Sequence, residues 1–85
     1  MDKRKIIARG ASASRIMGEE VVQDAIRDLE LMYISDWKTS KVDDVVKRER
    51  AYANMTVLND FVAALQSYVD SGKIAGKQLE RDSKL

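Results

Sequence analysis

Carboxylates are the only side chains in this sequence that could carry acid–base or metal chemistry. The 85 residues include no His and no Cys, which removes the commonest general base, the thiolate nucleophile and the usual zinc ligands. Glu19, Glu20, Asp24 and Asp28 fall at spacings that share one helical face, and such a ladder can hold a divalent cation. A calcium loop would need a glycine turn, and a bundle site would need inward-facing acids on a second helix. Neither is present, so the ladder reads as a solvated acidic face. Gly72 and Gly76 do not form a phosphate-binding loop. The expectation is a protein that is not an enzyme, with no cofactor, no metal and no small-molecule substrate.

Cations offer binding chemistry instead. Lys3, Arg4, Lys5 and Arg9, with Arg15 beyond them, could displace counterions from a phosphate backbone. No aromatic side chain is interleaved for base stacking, so a solvated basic arm is favoured and DNA contact is the alternative. Lys47, Arg48 and Arg50 could grip an acidic partner, or pair with Asp28, Glu30 and Asp36 across a hairpin; the second role is favoured, although exposed pairs contribute only about 0–1 kcal/mol. Trp37 is expected to plug a hairpin end beside Val45 and Val46, with a partner-binding anchor as its other role. Phe61 lies beside the expected seam and is a second candidate for partner contact.

These residues need elements to position them. The formal charge of +1 is a cancellation: residues 1–15 carry +4, residues 16–36 carry −5 and residues 37–50 carry +2. With no Pro and 4 Gly, the composition favours long helices. Val22, Ala25, Ile26, Leu29, Met32, Tyr33 and Trp37 recur at steps of three and four, predicting a helix over residues 13–38. A second stripe, containing Met55, Leu58, Val62, Leu65 and Val69, is a coiled-coil seam and predicts a helix over residues 42–71. Thr39 or Ser40 would cap it at the start, and Gly72 would stop it. Residues 1–12 are expected as a basic arm, and residues 73–85 as a short C-terminal helical segment.

The fold class is therefore all-α: an antiparallel two-helix hairpin with a short terminal helical segment. Folding about residues 39–40 sets Val22 near Leu58, Ile26 near Met55, Leu29 near Tyr52 and Trp37 near Val45. Two helices make a thin core, and Val21, Leu31, Val57 and Phe61 lie beside the seam, so the hairpin is expected to oligomerise or to dock on a partner. No apolar run approaches the roughly 20 residues that span a bilayer, and the start lacks a signal-peptide pattern. The expected partner is a protein or a second copy, with no membrane association and no secretion.

One run of residues carries a resemblance. Asp36-Trp37-Lys38-Thr39, then Asp43-Asp44 and Lys47-Arg48-Glu49, resembles small helical-hairpin proteins of tailed bacteriophages. In those proteins an amphipathic helix ends in Trp-x-Thr, a second begins with an acid and Arg-Glu, and it closes at a glycine like Gly72. The similarity covers about residues 15–79. It implies a phage origin, in the head-assembly and DNA-packaging gene region, and a location in host cytoplasm or virion. The leading expectation is a non-enzymatic protein acting by protein–protein interaction in virion head assembly or genome packaging. The alternatives are a small inhibitor of a host defence protein, similar to an anti-CRISPR, and a small terminase-like DNA-binding subunit.

Overall fold

The computed structural model describes residues 1–84, which form three helices and no strand: α1 (Lys3–Gly18), α2 (Glu20–Lys38) and α3 (Val45–Ser83). The all-α expectation holds. None of the helices is long and apolar enough to cross a membrane. The chain divides into two compact units, one made of Met1–Glu19 with the chain from Ala63 onward, the other of Glu20–Val62. Helix α3 is shared between them: its first half belongs to the second unit and its last half to the first.

In the first unit α1 lies antiparallel to the last half of α3. Residues near the start of α1 meet the end of α3, since Lys3 Nζ stands 3.5 Å from Asp82 Oδ2, and further along Gly10 meets Tyr68 and Gly72. Helix α1 begins at Asp2, whose Oδ1 accepts from the Arg4 backbone N–H at 3.0 Å, satisfying one of the unpaired donors of the first turn. Its inward stripe is Lys3, Ile6, Gly10, Ala13 and Met17, alternating steps of three and four, each buried or half-buried. A Cβ on Gly10 would stand 2.7 Å from the Tyr68 carbonyl oxygen and 3.0 Å from the Gly72 Cα. The two backbones therefore approach as closely as they do only because neither position has a side chain.

This unit overturns three expectations. Residues 1–12 are not an arm but most of a helix, and the helix predicted over residues 13–38 is two helices separated at Glu19, where ψ is 129° and the backbone is extended. Gly72 does not stop the last helix, which runs on through Gly76 to Ser83, with no glycine at positive φ. The first and the last of these share one physical reason: Gly10 and Gly72 lower helix propensity, but as a facing pair they allow close packing that the propensity of either segment alone does not register.

The second unit is the expected hairpin of α2 and the first half of α3. The seam of α3 runs through Arg48, Ala51, Met55, Leu58 and Val62, each buried or half-buried, and Val22, Ile26, Tyr33 and Asp36 are the corresponding half-buried positions of α2. The connection, residues 39–44, is built differently from expectation. Thr39 Oγ1 donates to the Ser35 carbonyl at 2.8 Å and Ser40 Oγ to the Trp37 carbonyl at 2.6 Å, so both hydroxyls close α2 rather than open α3. Asp44 is the cap of α3, its Oδ1 accepting from the Lys47 N–H at 3.1 Å. Val42, expected at the start of the helix, stands 93% exposed in the loop.

Candidate interaction surface

The four N-terminal cations do not act as a set. Arg9 places its guanidinium carbon 4.2 Å from the centre of the Tyr68 ring, a cation–π contact across the first unit, and Lys3 pairs with Asp82. Arg4 and Lys5 remain on the exposed side of α1. Helix α1 thus divides between packing and solvent the cations that an arm would have offered together. In the acidic ladder, Arg27 sits between Asp24 and Asp28, with Nη2 2.9 Å from one and Nε 3.7 Å from the other. Among the described residues no three acidic side chains converge on one point.

The basic cluster of α3 is also split. Arg48 turns back into the loop, where its Nη1 donates to the carbonyl oxygens of Lys41 and, at 2.8 Å, of Val42. It holds the connection in place and is not available to a partner. Lys47 and Arg50 are exposed, and among the described residues neither pairs with Asp28, Glu30 or Asp36. The cross-hairpin ion pairs expected from the sequence do not form.

What the second unit does present is apolar surface. Its buried core is Ala51, at 2% exposure; among the described residues the other buried apolar side chains, Ala13, Val69 and Ala75, belong to the first unit. Val57 is 67% exposed and Phe61 55%. Successive helical residues turn by about 100°, which places Phe61 roughly a quarter turn, and Val57 roughly two fifths of a turn, to the same side of the α3 seam. On α2, Val21, Ala25 and Met32 are offset from their own seam in the same rotational sense. Because the two helices run antiparallel, equal rotational offsets come out on the same broad face of the hairpin. That face carries Val21 and Ala25 level with Phe61 and Val57, all of them exposed.

The same geometry separates Trp37 from Phe61. Trp37 is offset in the opposite sense, as are Val45 and Tyr52, so it lies on the other broad face. It does not plug the hairpin end: it is 48% exposed. The charged residues beside the Val21–Phe61 face are sorted by helix, with Asp28 and Asp36 on the α2 side and Lys47 and Arg50 on the α3 side. Phe61, Lys47 and Arg50, singled out in the sequence, are thereby brought to one face, while Trp37 and Arg48 are not. Val21, Ala25 and Met32 complete it. The sequence set Val21 beside the seam but counted Ala25 and Met32 within it, and their exposure shows that both lie to Val21's side.

A shallow groove of about 260 Å³ lies in the first unit beside the Gly10–Gly72 contact, lined by Ile7, Ala11, Ser14, Val69 and Lys73 among others. It has one amine and one hydroxyl at its edge and no convergent polar set, and it is the furrow left where α1 and α3 cross. Compared with family models, with curated proteins and with solved structures, the chain matches none.

Proposed function

We propose that the chain is a non-enzymatic interaction protein that recognises another protein surface through the Val21–Phe61 face of its second unit. One observation carries this reading: a hairpin of 43 residues that buries a single alanine side chain while exposing Val21, Met32, Val57 and Phe61 on one side. Exposed apolar patches of this kind, rimmed by charges, are characteristic of interaction sites. The resemblance of residues 36–49 to phage helical proteins directs the reading toward head assembly or genome packaging, with a host defence protein as the other class of target.

A photo-crosslinking amino acid at position 57, on the face, and at position 49, on the outer side of α3, tests it. Protein adducts are expected at position 57 and not at position 49. No adduct at position 57 under conditions in which the chain is active would sink the reading.

A further inference from the structure

We propose that the occupant of the Val21–Phe61 face is a second copy of this chain, related by a two-fold axis that runs along the helices, so that α2 of each copy lies on α3 of the other. This rests on the interaction reading above and names its partner.

Missing burial is the first argument. Within the second unit Val21 is 70% exposed, Met32 54%, Val57 67% and Phe61 55%, and the buried core is Ala51 alone, so a like face laid on this one would supply apolar cover to both copies at once.

Charge selects the arrangement. A face that covers its own copy can do so about an axis along the helices or across them. With the axis across the helices, α2 lies on α2 and α3 on α3, so Asp28 and Asp36 approach acids, and Lys47 and Arg50 approach the apolar end or each other. With the axis along the helices, the acidic edge of α2 lies on the basic edge of α3. Asp36 then stands level with Lys47 of the second copy, and Val21 and Ala25 level with its Phe61 and Val57. All neighbouring helices in the resulting four-helix arrangement run antiparallel, as is usual in bundles. Asp28 already shares Arg27 at 3.7 Å, whereas Asp36, half-buried on the flank of the seam, and the exposed Lys47 and Arg50 have no ion-pair partner within their own chain among the described residues, so these three are the charges left to pair between copies.

The full-length protein supplies the test. Sedimentation at tens of micromolar is expected to give twice the 9.6 kDa chain mass, and Val57→Glu with Phe61→Glu is expected to give a single chain with unchanged helical circular dichroism, both side chains being exposed. Lys47→Glu with Arg50→Glu should weaken association at least tenfold, and adding Asp28→Lys with Asp36→Lys should restore it. Because the sequence has no Cys, Val42→Cys takes a single spin label at the loop tip. An axis along the helices brings the two labels close, whereas an axis across them separates them by about 30 Å or more, the length of α2. A dimer that survives the Val57 and Phe61 changes, a failed charge swap or widely separated labels would each overturn the proposal. So would a monomeric wild type; if position 57 then still cross-links to a different protein, the interaction reading stands and the self-association fails alone.

Discussion

At the scale of single residues, the glycines separate packing from propensity. Gly10→Ala would drive a methyl group to within 2.7 Å of the Tyr68 carbonyl oxygen, a backbone atom that cannot swing aside. The helices must part, and a loss of about 1–3 kcal/mol is expected. Gly76→Ala meets nothing within 4 Å and removes a flexible residue from a helix interior, so a gain of about 0.5–1 kcal/mol is expected. Chemical denaturation of the two variants reads the opposite signs, and a stable Gly10→Ala protein would refute the close approach. The sequence marked Gly72 as a helix stop, because nothing local distinguishes a glycine that faces another backbone from one that ends a helix. Arg48 was equally illegible. Its place in a run of cations suggested ion pairs across the hairpin, with a partner as the alternative, whereas its role depends on loop carbonyls six and seven residues earlier. Arg48→Ala should cost about 1–3 kcal/mol through lost charge-assisted hydrogen bonds, while the neighbouring Lys47→Ala should leave monomer stability within about 0.5 kcal/mol.

At the scale of elements, seams were more legible than ends. The stripe from Met55 to Val69 was readable because large apolar residues mark every step, and α3 keeps that period through Gly72, Gly76 and Leu79. The stripe of α1 has the same period, but Gly10 and Ala13 occupy its centre, and small residues look like weak helix rather than tight contact. The helix boundary at Glu19 had no proline and no left-handed glycine to announce it. Burial divides unevenly between the units: Gly10, Ala13, Val69, Gly72 and Ala75 are buried in the first, Ala51 in the second. Local opening free energy follows such contacts. Amide hydrogen exchange in dilute protein should therefore be fastest in α2 and slower in α1 and the last half of α3, and protection in α2 should rise as protein concentration is raised. Equal protection of α1 and α2 at all concentrations would contradict both the burial pattern and the covering of the second unit.

For the whole molecule, the near-zero net charge is the sum of segments that the fold puts to different uses. The basic N-terminal segment partly packs within its own unit, through Arg9 on Tyr68 and Lys3 beside Asp82. The acidic α2 and the basic start of α3 do not neutralise each other within the chain, which leaves a face with one sign along each edge. The insufficiency of the core was legible from composition and periodicity alone; the side on which it would be completed was not, since it follows from the antiparallel pairing of two offsets. If completion comes from a second copy, stability becomes inseparable from protomer concentration. A tenfold increase in concentration adds about 1.4 kcal/mol per dimer, and with an unfolding entropy of about 2.1 cal/mol/K per residue this raises Tm by about 4 °C. Scanning calorimetry across two decades of concentration would read a rise of about 8 °C on the same scaling. The Val57→Glu, Phe61→Glu protein should unfold at one temperature throughout, because a chain that cannot dimerise has no mass-action term to gain. Raising salt should lower the wild-type Tm modestly by screening the edge charges without abolishing its concentration dependence, since the apolar centre of the face carries most of the association. A wild-type Tm that is flat with concentration would leave the exposed face of the second unit without a second copy to cover it.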